Sequence, residues 1–215
     1  MNFQFFSRYK SCVGVIEMKR SNKGAVMKHY LSLILVCFVL LPLAGCITKY
    51  VGDNGTLYTT HNIWVENPEK VYAINYKRGM IIPAGTRVDN IVYKRNGDYP
   101  YVRFTPEGFK GTVSLLMVKR YQPGLSIQEL AQRTFSHKNF GELTEGLSED
   151  EITMIKRGRV KVGMSRRAVV LSYGFPPLHE TLYYEKNTKW KYWMSRVKTK
   201  LIIFDNDWTV LQIFD

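Results

Sequence analysis

The stretch IKRGRVKVGMSRRAVVLSYGFPP, residues 155–177, carries the clearest helix signals in the chain. Ser165 has a side chain that can cap the first turn of a helix, and a helix beginning there presents one apolar face. That face consists of Ala168, Val169, Leu171 and Tyr173. Gly174 can adopt the left-handed conformation that ends a helix, and the two prolines after it prevent continuation. The stretch therefore predicts a helix over residues 166–173.

A second helix and a set of strands surround this helix in the sequence. Ser148 and Glu151 form a capping box, which predicts a helix at about 149–157. Segments of alternating residues then predict strands at 181–185, 189–197, 199–204 and 208–214. Two helices followed by strands are typical of an α+β fold in which the helices cover one face of an antiparallel sheet. We assign this arrangement to residues 148–215.

The strand at 189–197 contains candidate contact residues. Side chains alternate between the two faces of a strand, so Trp190 and Tyr192 share one face and Trp193 lies on the other. We assign Trp190 and Tyr192 to the core beneath the helices, which leaves Trp193 on the open face among Lys and Arg residues. Aromatic residues and arginine are enriched at binding hot spots. Trp193 and Arg196 are therefore predicted partner contacts.

The residues at 55–120 predict a small β-barrel. Candidate strands, separated by turn residues, lie at 56–65, 71–76, 87–94, 99–105 and 111–117. Trp64, Tyr72 and Tyr76 either form an aromatic groove for a ligand or fill the core of this barrel. Core packing is the interpretation that we favour, and Trp64 and Tyr76 are kept as candidate partner contacts.

The two units are joined by a predicted helical linker, residues 121–147. It starts with a capping box of Ser126 and Glu129, which begins a short helix. The linker continues as a polar, glycine-containing segment at 137–147. Such a segment is typical of a domain boundary, so the units on either side of it are expected to fold separately.

The first 45 residues have the features of a secretory signal peptide. Lys28 and His29 precede an uncharged apolar run that ends in small residues. The run closes with Leu43-Ala-Gly-Cys46, which resembles the lipobox of bacterial lipoproteins. That resemblance implies cleavage before Cys46, lipidation of its thiol and a short lipidated tether over residues 46–54.

The same region leaves open a transmembrane helix and a different start residue, and it also predicts the membrane in which the protein is anchored. The uncharged run approaches the ~20 residues that span a bilayer, but Pro42 and Gly45 interrupt its end, which disfavours a transmembrane helix. Met27 is an alternative start, because the sequence before it is long for a basic region. Ile47 follows Cys46, whereas an aspartate there retains Gram-negative lipoproteins at the inner membrane. We therefore predict an outer-membrane, periplasm-facing location.

Composition limits the classes of function. The chain has 31 Lys and Arg against 18 Asp and Glu, a formal net charge of +13, which in a cytosolic protein suggests nucleic-acid binding. Export removes nucleic acid from the expected partners and leaves lipid headgroups, cell-wall carboxylates and acidic protein surfaces.

All cysteines fall in the leader or at the lipidation site, so no disulfide is expected. His61, His137 and His179 lack metal-ligand spacing, and no catalytic motif is present. We predict no metal, no cofactor and no enzymatic activity.

The C-terminal unit also carries marks of a known family. They are Gly158, Val162-Gly-Met-Ser165, Val169, Gly174-Phe-Pro176, Trp190-Lys-Tyr192, Ile203-Phe204 and Val210-Leu-Gln-Ile213. On these residues the segment 148–215 resembles the BamE family (SmpA/OmlA) of outer-membrane lipoproteins. The resemblance implies the two-helix and antiparallel-sheet fold, and a scaffold role beside the machine that inserts β-barrel proteins. The preceding β unit departs from that family's pattern.

The β unit has a pattern of its own. It consists of Tyr58-Thr-Thr-His-Asn-Ile-Trp64, Asn75-Tyr76, and Gly79 followed by Pro83-Ala-Gly-Thr-Arg-Val88. On these residues the segment 55–120 looks like a bacterial SH3-like domain, a resemblance that implies binding of cell-wall peptides or proteins.

The sequence as a whole predicts a non-catalytic outer-membrane lipoprotein that acts as a protein-binding scaffold in envelope or outer-membrane assembly. Its partners would be the membrane, through the lipid at Cys46, and envelope proteins. The alternative is a membrane-anchored module that binds the cell wall (peptidoglycan) or another anionic ligand.

Overall fold

The computed structural model describes residues 47–49, 55–95 and 98–215, the first of these segments by its backbone only. The predicted signal peptide and Cys46 lie outside the described residues. The fold is α+β, as predicted. The helices are α1 (Ile127–Thr134), α2 (Phe140–Thr144), α3 (Glu149–Lys156) and α4 (Arg166–Tyr173). In the part of the chain that is described, no helix is long and apolar enough to cross a membrane.

The strands are short and most of them are antiparallel. They are β1 (Ile47–Lys49), β2 (Leu57–Thr59), β3 (Ile63–Val65), β4 (Val71–Tyr72), β5 (Met80–Ile82), β6 (Arg87–Lys94), β7 (Tyr101–Pro106), β8 (Val113–Leu116), β9 (Phe135–Ser136), β10 (Lys189–Trp193), β11 (Thr199–Phe204) and β12 (Val210–Phe214). Strands β3 and β5 pair with each other, and β10, β11 and β12 form an antiparallel sheet in that order. The remaining strands form one larger sheet.

That larger sheet is seven-stranded and curled. Its order is β4-β8-β7-β6-β2-β9, with β1 antiparallel to the end of β6. The register shifts within β6, where Asn90 has a φ of 53°, and such an irregularity bends a strand. Val102 and Phe104 alternate with outward residues along β7 and are fully buried. Leu130 and Ala131 of α1 pack onto the same cluster, so the predicted linker helix is part of this first core.

The second core lies between the helices α3 and α4 and one face of the β10-β11-β12 sheet. The side chains of Ser148 and Ser165 each accept a hydrogen bond from the backbone N–H three residues on, and so cap α3 and α4. Gly174, with a φ of 80°, ends α4. Trp190 and Tyr192 lie on the covered face of the sheet and are fully buried. The predicted helices, their caps and the core face of this strand are confirmed.

Three predicted strands are absent or shortened where a residue adopts a left-handed φ. The strand predicted at 208–214 begins at Val210, after Trp208 with a φ of 60°. The segment 181–185 is a turn, in which Tyr183 has a φ of 54°. The strand predicted at 71–76 extends only over Val71–Tyr72, and Asn75 has a φ of 54°. This conformation curls the chain away from the extended geometry that a sheet requires.

Two further differences come from polar residues. The strand predicted at 56–65 is divided into β2 and β3, because the chain bends to place the amide of Asn62 in the core. The polar segment at 137–147 contains α2, a helix that the sequence interpretation missed. Asn139 and Glu142 form its capping box, the signal that marks it.

Buried polar side chains connect the two cores. The Nδ2 of Asn62 donates to the carbonyl of Ile155 over 2.6 Å. The Nδ2 of Asn75 donates to the carbonyl of Tyr173 over 3.2 Å. The ring of Trp64, which belongs to β3, packs in the second core rather than the first. The cores are thus joined by hydrogen bonds and by an aromatic side chain.

Candidate functional site

A large cavity lies where the β4 edge of the seven-stranded sheet meets the hairpin between β10 and β11. Its volume is about 690 Å³, within the usual range of ligand pockets. Its aromatic walls are formed by Tyr72, Tyr76, Tyr99, Tyr121 and Trp193. We call it the tyrosine cavity. It brings together β4, the turn Lys119–Tyr121 and the end of β10, which are far apart in the sequence.

The Tyr76 phenol of this cavity is available as a hydrogen-bond donor. The rings of Tyr72 and Tyr76 meet edge to face, with centroids 6.1 Å apart. Burial raises the pKa of the Tyr76 phenol, and the nearby phenol of Tyr121 adds to that rise. The charges of Arg196 and Arg120 act in the opposite direction. Because the net effect is a raised pKa, the Tyr76 hydroxyl keeps its proton at neutral pH and can donate a hydrogen bond to a ligand.

The tyrosine cavity also carries positive charge, from Lys119, Arg120 and Arg196. The guanidinium of Arg120 lies 4.6 Å from the ring centroid of Tyr121 and donates to its hydroxyl over 2.6 Å. Among the described residues, none of these three cations takes part in an ion pair, and Asp98 is the carboxylate in the wall. The cavity therefore offers cations and hydroxyl donors to an anionic ligand.

The sequence predicts Trp193 on an open face of the sheet, whereas the structure places its side chain in several contacts. Its side chain is half-buried, and its indole N–H donates to a carboxylate oxygen of Glu180 over 3.2 Å. The ring of His179 stacks on it, with centroids 6.2 Å apart. Lys191 holds the other oxygen of Glu180 at 3.0 Å. Trp193 is thus a fixed wall of the cavity rather than a free surface side chain.

A second cavity, of about 460 Å³, adjoins the first. It is lined by Trp64 and Lys70, and it shares Tyr72, Tyr76 and Arg196 with the tyrosine cavity. We call it the tryptophan cavity. Trp64 is only 7% exposed, but it packs in the second core and not in the barrel core that the sequence predicts, and the edge that remains accessible faces this cavity.

The structure brings the four predicted contact residues to one region. Trp193 lines the tyrosine cavity, Trp64 lines the tryptophan cavity, and Tyr76 and Arg196 line both. The sequence interpretation missed the segment Lys119–Tyr121, where cations adjoin an aromatic residue just before a proline. That composition was the available signal.

The histidines lie in local contacts instead. His61 is buried, and its Nδ1 is 2.8 Å from the hydroxyl of Thr60. Burial, and then the charge of Lys77, lowers the pKa of His61 to about 3, so the ring is neutral at physiological pH. His137 and His179 each contact a backbone carbonyl. Within the described segments, no group of three or more His, Cys, Asp or Glu side chains is arranged to hold a metal ion.

The chemistry of the two cavities is consequently the basis for any functional conclusion. Both combine aromatic walls with cations, and both lie against the hairpin that follows β10. The comparisons with protein-family models, with curated proteins and with solved structures returned no match to this chain.

Proposed function

We propose that the chain is a non-catalytic outer-membrane lipoprotein that acts as a scaffold in envelope assembly and holds a partner protein at the two adjoining cavities. The observation that carries this proposal is the tyrosine cavity, where aromatic walls lie beside cations that have no ion-pair partner among the described residues. Aromatic residues and arginine are the side chains most enriched at protein-binding hot spots. The lipid at Cys46 would keep this surface at the membrane.

The proposed domain identities are an SH3-like unit at 55–120 and a BamE-like unit at 148–215. The curled seven-stranded sheet supports the first, and the two helices over the β10-β11-β12 sheet support the second. The cavities lie where elements of both units meet, a position suited to a scaffold that uses the two units together.

A second candidate function is a membrane-anchored module for peptidoglycan or another anionic ligand. The observation in its favour is that the tyrosine cavity presents hydroxyl donors and cations but a single carboxylate, Asp98, among its described wall residues. A cell-wall peptide would supply carboxylates to these groups.

The Trp193→Ala variant is expected to capture a partner at least about tenfold less well than the wild type, the equivalent of about 1.4 kcal/mol. Its free energy of unfolding should fall by about 1–2 kcal/mol, because the change removes a half-buried ring and its hydrogen bond to the partly exposed Glu180 carboxylate. The measurement is a crosslinking pull-down from membranes of the native organism, with capture quantified for each variant. Unchanged capture by Trp193→Ala contradicts the proposed function.

The matched control for this experiment is Phe214→Ala. Phe214 is an aromatic residue on β12 with an exposed fraction of 50%, and it lines neither cavity. Its loss should leave partner capture unchanged. Equal losses in both variants would indicate a general surface effect rather than recognition at the cavities.

The Cys46→Ser variant is expected to give an unlipidated, uncleaved or soluble precursor, because only a thiolate attacks the lipid donor. Metabolic labelling with a radioactive fatty acid measures the lipid, and sucrose-gradient fractionation locates the protein, with the wild type expected in the outer membrane. Cys37→Ser is the matched control, since Cys37 lies in the predicted leader and should not affect labelling. Label that persists in Cys46→Ser would refute the anchor.

A further inference from the structure

We propose that the tyrosine and tryptophan cavities form one elongated groove for an extended acidic segment of a partner polypeptide. This inference rests on the proposed function and specifies the chemistry of the partner. The cavities are adjoining because Tyr72, Tyr76 and Arg196 line both of them. A ligand that fills both cavities must pass over these three side chains.

Positive charge is distributed along this groove rather than gathered at one point. Lys119 and Arg120 line the tyrosine cavity, Arg196 lies at the junction, and Lys70 lines the tryptophan cavity. None of these four takes part in an ion pair among the described residues. A small single anion would engage one of these cations and leave the others unpaired. A chain with several carboxylates can engage cations in both cavities.

One further cation of the tryptophan cavity is already neutralised. The guanidinium of Arg78 lies 2.7 Å from a carboxylate oxygen of Glu66, and both residues line that cavity. The pair is exposed, and it is the same arginine–carboxylate contact that an acidic ligand would make in the groove. It also leaves Lys70 and Arg196 as the available charges at this end of the groove.

The aromatic walls favour a polypeptide as the carrier of these carboxylates. In an extended peptide, successive side chains point to opposite sides at about 3.3 Å per residue, so acidic side chains can face the cations while the intervening residues lie against the rings. The hydroxyls of Tyr72, Tyr76 and Tyr121 can pair with peptide carbonyls, because a protonated phenol donates and accepts hydrogen bonds. A neutral glycan would use the rings but leave the cations without partners.

The test is a fluorescence-anisotropy titration of the full chain, purified in detergent, against a fluorescein-labelled octapeptide of alternating Glu and Ser. The comparison probes are the Gln–Ser octapeptide and the Glu–Ser dipeptide. We expect the Glu–Ser octapeptide to bind at least about tenfold more tightly than either comparison probe. Its affinity should fall as the salt concentration is raised. Equal binding of the Glu and Gln octapeptides overturns the inference.

Arg196 is the most informative side chain to change because it lines both cavities. Arg196→Gln should weaken the binding of the Glu–Ser octapeptide at least about tenfold while leaving the melting temperature of the protein near that of the wild type. The control is Arg157→Gln, an exposed arginine that lines neither cavity, and its affinity should be unchanged. Unaltered binding by Arg196→Gln overturns the assignment of the groove.

Two outcomes separate this inference from the function on which it rests. If Trp193→Ala abolishes partner crosslinking but no acidic peptide binds, the scaffold function stands and the acidic-segment inference fails. If a soluble disaccharide-tetrapeptide of the cell wall displaces the Glu–Ser octapeptide and binds more tightly, the ligand is peptidoglycan, which overturns both the polypeptide ligand and the scaffold function.

Discussion

The Trp190→Ala variant is expected to lose about 3–5 kcal/mol in the free energy of unfolding, the usual cost of deleting a fully buried large aromatic side chain. Trp190 has no exposed surface. Its ring centroid lies 4.7 Å from that of Phe204 and 5.7 Å from that of Tyr184. Its indole N–H donates to the carbonyl of Tyr184 over 3.0 Å, so truncation also leaves that carbonyl without its donor.

Urea unfolding followed by far-ultraviolet circular dichroism measures this loss. Trp193→Ala is the matched control, because Trp193 lies on the opposite face of the same strand and is half-buried. The two variants should differ in unfolding free energy by at least about 1 kcal/mol, with Trp190→Ala the less stable. If Trp193→Ala is the more damaging of the two, the sheet buries the opposite face and Trp193 cannot be a binding-site wall.

The features that the sequence predicted correctly depend on neighbours in the chain. A capping serine, an apolar face and a terminal glycine lie within ten or so residues of one another, so α4 could be predicted from local pattern alone. The burial of Trp190 and Tyr192 follows from strand alternation, since a residue and the one two positions later share a face.

The features that the sequence did not predict depend on distant residues. Alternation at 181–185 resembles a strand, but no periodicity reveals that Tyr183 takes a φ of 54°. The bend between β2 and β3 exists because Asn62 reaches Ile155, which lies 93 positions away. Such contacts are fixed by tertiary packing, which overrides local preference.

In the candidate site, too, some residues could be predicted from chain neighbours and others depend on distant contacts. Trp193 and Arg196 could be proposed from one strand and its hairpin, because both lie within four residues of sequence. Their meeting with Tyr76 and Tyr121 required the hairpin to dock beside β4, an arrangement that no local signal encodes. The backbone N–H of Lys77 donates to the carbonyl of Met194 over 3.2 Å and holds the hairpin there.

A fragment of residues 146–215 is expected to show no cooperative thermal transition, although the polar segment at 137–147 predicts a domain boundary. Trp64, which the fragment lacks, belongs to the second core. Its ring packs so closely on Gly158 that a Cβ there would lie 2.6 Å from the Trp64 ring. Removal of Trp64 exposes the apolar surface that it covers, and buried apolar area is the main stabilising contribution to a small core.

The hydrogen bonds across the predicted boundary strengthen this expectation. The backbone N–H of Asn62 donates to the carbonyl of Leu171 over 3.0 Å, and its side chain holds the carbonyl of Ile155. The Nζ of Lys77 donates to the carbonyl of Tyr173 over 2.5 Å and lies 5.5 Å from the ring centroid of Tyr192. The last turns of α3 and α4 therefore receive donors from the N-terminal half, in addition to the backbone N–H groups that follow α3.

The measurement compares the fragment with the full chain by thermal melting in near- and far-ultraviolet circular dichroism. The full chain should melt in one transition, whereas the fragment should give a broad, non-cooperative change with a weak near-ultraviolet signal. Asn62→Ala in the full chain should lose about 1–3 kcal/mol in the free energy of unfolding, because the buried Ala84 N–H would be left without an acceptor and the Ile155 carbonyl would lose one of its donors. A sharp transition in the fragment, with no loss in Asn62→Ala, would mean that the second core is stable alone. The polar boundary would then separate two independent domains.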